Sequence, residues 1–243
     1  MTKVVISQPM YFPWYGHLEQ LKHCDVYVFY DDVQFSRGFF NRVQLKKEEG
    51  QAWMTVPLEG GESRKEINSH IPSKTQDWRA SHAQLFKSLY HSAPFYEMAA
   101  GILEQVLTTQ YEPGSLSDFS EASTMALAVA FGLNHARYLK SSELDIPGKG
   151  TQRLVDICKA LSASEYITGH GARNYMDHGL FDSHGINVSY ISYGMKPYPQ
   201  HIGNHFIPYV SGLDCIANCG PEAHKYLGGS LLSWRTFLAG SSK

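Results

Sequence analysis

The chain has 243 residues, of which 43% are hydrophobic and 18% charged, and its formal net charge is −2. This length supports a sizeable buried core, and the charge excludes a general electrostatic attraction to nucleic acid or an anionic membrane. The opening apolar run is too short for a signal peptide, and no window approaches the roughly 18 to 20 apolar residues of a membrane span. We expect a cytoplasmic protein with no membrane span and no nucleic-acid partner.

The beginning of the chain predicts a parallel sheet. Strands are predicted at residues 4–7, 25–30, 38–45, 52–57 and 67–71. A helix at residues 17–22 joins the first two strands, and the order strand, helix, strand requires a right-handed crossover between parallel neighbours. We therefore predict an α/β fold with a Rossmann-like parallel sheet as its core.

The middle of the chain is predicted to be helical, starting at Asp77, with a new helix or a kink at Pro94. Further elements are predicted as a helix at 115–133, a strand at 136–144, a helix at 150–161, a strand at 165–168, a helix at 173–181 and a strand at 188–192. No long linker interrupts this order. We expect one interleaved domain over residues 1–243, whose α/β portions at 1–72 and 138–220 bracket the inserted helical segment at 77–135.

The loop QPMYFPWYGH, residues 8–17, follows the first strand, at the sheet edge where α/β proteins bind ligands. Gly16 precedes a helix start, whose free N–H groups attract anions, and Gln8 and His17 add side-chain donors. Gly-His followed by a helix is similar to the (H/T)xGH loop of nucleotidyl-transferring enzymes, although the first His of that motif is absent. The alternative is a structural loop that plugs the sheet edge with aromatic side chains.

Charged residues follow the second strand. Adjacent residues of an extended segment face opposite sides, so at most one of Asp31 and Asp32 faces a ligand. Asn41 and Arg42 come soon after, and the guanidinium of arginine is suited to phosphate or carboxylate. The alternative for each of these residues is a solvated loop.

Two histidines stand in contrasting contexts. His82 shares a helical face with Trp78, which is typical of a core histidine unless a neighbouring carboxylate makes it a base. His170 lies between Gly169 and Gly171, after a strand and before a helix, where glycine permits close backbone approach to a ligand. The third glycine of a dinucleotide fingerprint is missing, so with Arg173 the pattern favours phosphate or carboxylate binding.

The tail contains more polar residues than an ordinary core segment: Gln200, Ser211, Asp214 and Asn218. Cys215 and Cys219 would share one face of a helix, where small buried side chains are favoured over a Cys–His nucleophilic pair. The histidines are dispersed, so the sequence predicts no metal site.

The segments QPMYFPWYG, DVYVFYDDVQF, FNRVQL, WMTVP, YITGHGARNY and PYVSGLDCIANCG resemble the WbqC-like family in order and spacing, from about residue 4 to residue 220. Members occur in bacterial gene clusters for O-antigen, other polysaccharides and natural products. The resemblance implies a biosynthetic enzyme that attaches an acyl or aminoacyl group to an amino sugar or a related amine. It also implies that the group arrives as an activated thioester, on coenzyme A or an acyl carrier protein.

The hypothesis of an amide-forming transferase assigns roles to polar residues near the predicted strand ends. His82 is predicted as the general base, with Asp31 or Asp214 to orient it or to bind the amine. Asn41 and the backbone near Gly169 are predicted to stabilise an oxyanion. His17 is a further catalytic candidate, although many relatives carry an aromatic residue there. The residues predicted to bind substrate are Gln8, Tyr11, Trp14, Gly16, Asp32, Gln34, Asn41, Arg42, Gly169, His170, Gly171, Arg173, Tyr198, Gln200, Ser211 and Asn218.

Two other functions remain open at this point. The first is an ATP-dependent ligase that forms an adenylate, and release of AMP would identify it. The second is a non-catalytic module that binds a nucleotide sugar or a carrier protein, which would bind its ligand without turnover.

Overall fold

The computed structural model describes residues 1–36, 38, 40–61, 64–111 and 114–240. Its strands are β1 (Thr2–Ser7), β2 (Val26–Phe29), β3 (Arg42–Lys46), β4 (Gln51–Thr55), β5 (Arg137–Lys140), β6 (Ala163–Thr168), β7 (Asn187–Ser192) and β8 (Ser230–Ser233). Six of them form one sheet in the order β5-β2-β1-β6-β7-β8, parallel except for the β7–β8 pair. The predicted Rossmann-like α/β fold is confirmed. Strands β3 and β4 form a separate antiparallel hairpin.

The helices are α1 (Tyr15–His23), α2 (Trp78–Tyr90), α3 (Tyr96–Thr108), α4 (Leu116–Ala130), α5 (Gly150–Ala160), α6 (His178–Ser183), α7 (Gly212–Cys219) and α8 (Trp234–Gly240). Helix α4 begins with a capping box in which Ser115 and Asp118 satisfy each other's backbone N–H groups. Within the described ranges, no helix has both the length and the apolar character needed to cross a bilayer.

The central sheet is covered on both faces because alternate residues of each strand point to opposite sides. Val5 and Tyr27 belong to the larger hydrophobic cluster, which also includes residues of α1, α2, α3, α4 and α7. Val4 and Val26 belong to the other cluster, together with residues of α5, α6 and α8. The helical middle of the chain thus packs with α1 and α7 on one face of the sheet.

The structure differs from the predicted elements in three places. Residues 67–71 contain a short 3-10 helix, Ile67–Ser69, instead of a strand. The N–H groups of Ile67 and Asn68 donate to carbonyl groups within residues 31–33, and these two bonds do not continue as the hydrogen-bond ladder of a sheet. The predicted helix at 173–181 is divided into a 3-10 helix, His170–Asn174, and α6, which begins where Asp177 caps the N–H of Leu180. The edge strand β8 has no counterpart in the prediction.

The other elements of the sheet and the helical middle lie close to their predicted places. The predicted strand at 38–45 is observed from Arg42 onward, and Phe39 within that prediction lies outside the described residues. The new helix expected near Pro94 is α3. The assignment of residues 1–243 to one interleaved domain stays a prediction.

Candidate functional site

The predicted loops after β1 and β6 leave the sheet side by side. Strand β1 pairs with β2 on one side and with β6 on the other. The chain therefore reverses its direction of strand addition between β1 and β6, and open α/β sheets bind ligands at the carboxyl ends of the strands on either side of such a point. Gln8, which is partly exposed, and Gly169 both lie at this edge, which we call the carboxyl edge.

Four rings form a continuous series across the carboxyl edge. Trp14 lies 5.3 Å from Tyr209 and 5.1 Å from Tyr193, and Tyr193 lies 4.9 Å from His170, measured between ring centroids. Tyr209 and His170 are exposed, while Trp14 and Tyr193 are partly exposed. We call these four residues the aromatic row. Its exposed rings offer flat apolar faces to a ligand such as a sugar or a base.

Two of the predicted glycines make room for the aromatic row. A Cβ atom on Gly16 would lie 2.0 Å from the ring of Trp14, and a Cβ atom on Gly169 would lie 2.9 Å from the hydroxyl of Tyr193. Both distances are shorter than a van der Waals contact. The sequence predicted that these glycines let a ligand approach the backbone. In the structure the side chain of Trp14 approaches the backbone at Gly16, and that of Tyr193 approaches it at Gly169.

The interior of the loop at 8–17 is packed against the helical part of the protein. Tyr11 and Phe12 are fully buried. Phe12 has a φ of 41°, a backbone conformation that non-glycine residues seldom adopt. The N–H of Phe12 donates to the hydroxyl of Ser123 at 2.8 Å, and the hydroxyl of Ser211 donates to the carbonyl of Phe12 at 2.9 Å. This part of the loop matches the structural alternative, while Gln8 and Trp14 remain accessible.

His170 is held in one tautomer at the carboxyl edge. Its Nε2 lies 2.7 Å from the carbonyl oxygen of Ile191, which only accepts, so Nε2 carries the hydrogen. In the neutral ring, Nδ1 then has the lone pair, and no described residue donates to it. The hydrogen bond of one ring nitrogen thus sets the role of the other, as in histidines that act as bases.

His82 is buried, with both ring nitrogens engaged. Nε2 donates to the carbonyl of Thr55 at 2.9 Å, so Nδ1 accepts from the hydroxyl of Tyr11 at 3.0 Å. Burial lowers the pKa of His82 to about 4. The ring lines a cavity of about 400 Å³, but its contacts tie the loop at 8–17 to β4. The predicted role of His82 as a general base stays a prediction.

His17 is also buried and neutral. Its Nδ1 faces the side-chain amide of Gln20 at 3.4 Å, and its Nε2 lies 2.9 Å from the hydroxyl of Tyr27. Burial lowers the pKa of His17 to about 4. These contacts place the ring between α1 and β2, beneath the carboxyl edge.

Asp31 and Asp32 both accept from the hydroxyl of Ser141, but their other partners differ. Asp31 is buried and accepts from the N–H of Ser142 at 3.0 Å and from its hydroxyl at 2.7 Å. Asp32 is partly exposed and pairs through both carboxylate oxygens with the guanidinium of Arg153. Burial pushes the pKa of Asp32 up, but the hydrogen bonds from Arg153 and Ser141 outweigh it and lower that pKa.

Asp32 also lines a cavity of about 490 Å³ at the carboxyl ends of β2 and β5. We call this cavity the acidic recess, because Glu66 and Asp145 line it as well and Arg153 supplies its one arginine. Such a cavity attracts an ammonium group more readily than an anion. No group of three or more His, Cys, Asp or Glu residues in the described part of the chain is arranged to hold a metal ion.

Three of the polar residues of the tail form a buried network around Asp214, while Ser211 pairs with Trp14 in the loop at 8–17. Asp214 accepts from the hydroxyls of Tyr90 at 2.7 Å and Tyr198 at 2.6 Å, and from the amide of Gln200 at 3.0 Å. Asn218 donates to the carbonyl of Asp214 at 2.8 Å. Burial raises the pKa of Asp214 despite these donors. The network connects α7 to α2 and to the segment at 198–207.

The remaining predicted residues are spread over the surface and the hairpin. Asn41 is buried, and its amide donates to the carbonyl of Val56 at 3.2 Å. Arg42 stacks its guanidinium 4.4 Å from the ring centre of Trp53. Residues that are exposed and could still meet a ligand are Gln34, Gly171 and Arg173.

Three residues near the site were missed by the sequence reasoning. Tyr193 follows the predicted strand at 188–192, so the same rule of strand ends would have found it, whereas nothing local marks Tyr209. Glu19 is buried behind the aromatic row, where the N–H groups of Gly228 and Gly194 donate to it at 3.0 and 3.4 Å. Burial raises the pKa of Glu19.

Comparisons with known proteins find one matching family model and a similar bacterial protein. The profile of the WbqC-like protein family matches residues 8–226. An uncharacterized protein of Mycobacterium tuberculosis, Rv1507c, is 32% identical over 231 residues, which cover 93% of this chain and 98% of the relative. No solved structure matches the chain.

Proposed function

The chain belongs to the WbqC-like protein family, and on that premise we propose that it is an amide-forming transferase. It moves an acyl or aminoacyl group from an activated thioester to the amine of an amino sugar or a related small molecule. The donor is an acyl or aminoacyl thioester of coenzyme A or of a carrier protein.

One observation carries the proposal most strongly: an exposed histidine with an available ring nitrogen lies in the aromatic row. The N–H on Nε2 of His170 is bound to Ile191 at 2.7 Å, which leaves Nδ1 to accept a proton. The nitrogen of the attacking neutral amine must lose a proton as the amide forms, and a base within reach accepts it. We therefore assign the base to His170 in place of the buried His82.

The arrangement of the carboxyl edge supports an amino-sugar acceptor. Strands β2 and β6 both flank β1, so their ends lie about 10 Å apart, at about 5 Å per strand spacing. The aromatic row at β6 offers rings on which a sugar or base can stack. The acidic recess beyond β2, with Glu66 and Asp145, attracts the positive charge of the amine before it reacts.

The chemical step is an aminolysis of the thioester. The ammonium form of the acceptor first releases one proton to solvent. The neutral amine then attacks the carbonyl carbon, a C–N bond forms, the C–S bond breaks, and the sulfur leaves as the thiol. Nδ1 of His170 takes the proton from the attacking nitrogen and passes it to the departing sulfur. No redox partner or ATP is needed, because the thioester supplies the activation.

The test is a panel of acyl and aminoacyl thioesters combined with amino sugars, nucleotide-linked amino sugars and simple amines. Mass spectrometry detects the amide, and a thiol reagent detects the released thiol. We expect His170→Gln to lower kcat by about 10²-fold or more. The matched control is His135→Gln, since His135 is also exposed but lies between α4 and β5 and is not part of the aromatic row. Full turnover in His170→Gln would refute the role of His170.

The same panel separates the other two functions. Turnover that requires ATP and releases AMP, with free acid in place of the thioester, would identify a ligase. Saturable binding of nucleotide sugars without any amide, across all donors, would identify a binding module.

A further inference from the structure

A groove separates α2 from α3 on the face of the protein formed by the helical middle. Its volume is about 650 Å³, within the range of cavities that hold small organic ligands. Phe86, Leu103 and Leu107 are buried at its floor. Ala83 and Ala100 line it from the two helices, and their short side chains leave the space between the helices unfilled.

Arg79 lies at one end of this groove. Its guanidinium carbon is 5.1 Å from the ring centre of Phe119 and 5.4 Å from that of Trp78. Its Nε is buried and has no hydrogen-bond partner, and no described carboxylate pairs with it. An arginine next to aromatic rings keeps its charge and still has N–H donors for a planar anion.

Arg79 also lines a second, more polar cavity of about 670 Å³ at the start of α2. Lys74 lines that cavity, and Lys87 lines the groove. Each of the two cavities has one acidic lining residue, Glu104 in the groove and Asp77 in the polar cavity. The carboxylate of Asp77 accepts from the N–H of Ala80 at the start of α2. The two lysines balance the two acidic residues, so the charge of Arg79 itself is the excess positive charge among these lining residues.

We propose that the groove and Arg79 together bind an amphiphilic carboxylate, that is, an organic acid with one anionic head and an apolar chain. The head group pairs with the guanidinium of Arg79, and the chain lies along the groove over Phe86 and Leu103. The proposal does not rest on the amide-forming activity, because binding is measured without turnover.

The test compares three probes of equal chain length: decanoate, decan-1-ol and decylamine. Calorimetry on the full chain, below the micelle concentration of each probe, measures their affinities. We expect decanoate to bind about tenfold or more tightly than decan-1-ol, since a charge-assisted hydrogen bond replaces a neutral one. Decylamine should bind more weakly than either. Equal affinities for decanoate and decan-1-ol in the unmodified protein would overturn the proposal.

Two substitutions divide the site into head and chain. Arg79→Gln should abolish the preference for decanoate, and Ala83→Leu should weaken decanoate and decan-1-ol alike by filling the groove. Arg137→Gln, at an exposed arginine of β5, is the control and should change neither. A preference for decanoate that survives Arg79→Gln would refute the assignment of the head group.

One more probe tests whether the ligand of Arg79 is a small molecule. An acidic amphipathic peptide that bound far more tightly than decanoate, in an Arg79-dependent way, would show a protein partner instead.

Discussion

The buried histidines make the fold sensitive to mild acid. His17 and His82 are 5% and 4% exposed, and burial lowers the pKa of each to about 4. In the unfolded chain a histidine has a pKa of about 6.5. Because the folded state resists protonation of these rings, their contribution to stability is complete above pH 6.5 and is lost as the pH falls toward 4.

The size of the effect follows from the two pKa values. At pH 5 each ring costs about 2 kcal/mol of the free energy of unfolding relative to pH 7.5, so His17 and His82 together cost about 4 kcal/mol. This is a large fraction of the total stability of a typical protein, which is about 5 to 15 kcal/mol. His23 and His178, whose pKa values burial also lowers, add to the effect in the same direction.

Urea unfolding at several pH values between about 7.5 and 5 measures this dependence. Glu121, whose pKa burial raises to about 7, binds a proton in the folded state over the same range and opposes the histidines, so the contribution of each ring is measured as the difference between the parent protein and its variant. His17→Phe and His82→Phe should each lower the uptake by about one proton, whereas His135→Gln, at an exposed ring, should not. The same proton uptake in the parent protein and in both histidine variants would show that the two rings are not buried as described.

Three further predictions test the packing around the site. Gly16→Ala should displace the ring of Trp14, cost about 1 to 3 kcal/mol of stability and change the tryptophan fluorescence, because its Cβ would overlap that ring; an unchanged spectrum would contradict the close approach. Arg153→Met should lower the free energy of unfolding by about 1 to 3 kcal/mol, because it leaves Asp32 without its partner; the partial exposure of Asp32 keeps the loss in this range. In thermal melts, added salt should destabilise the variant less than the unmodified protein, since the variant no longer has this ion pair. Tyr90→Phe should cost about 1 to 3 kcal/mol, as it removes a donor to the buried Asp214, and chemical denaturation that detects no loss would refute the network.

The sequence by itself determined the fold class and predicted that the site lies where strands end. Strand and helix patterns specify the order β1, α1, β2, and the loops that begin at Gln8 and Gly169 each follow a predicted strand. Tyr193 was within reach of the same rule. Strands and helices can be predicted in this way because apolar residues repeat along the sequence with the period of each element.

Only the tertiary structure decided which polar groups are available for chemistry. The sequence predicted His82 as the base and His170 as a binding residue. In the structure the ring nitrogens of His82 are bound by Tyr11 and Thr55, whereas no described residue donates to Nδ1 of His170. Likewise Asp214 is saturated by donors from distant parts of the chain. A hydrogen-bond partner depends on which residues meet across long sequence separations, and that is decided by packing, because every buried polar group must find a partner within the fold.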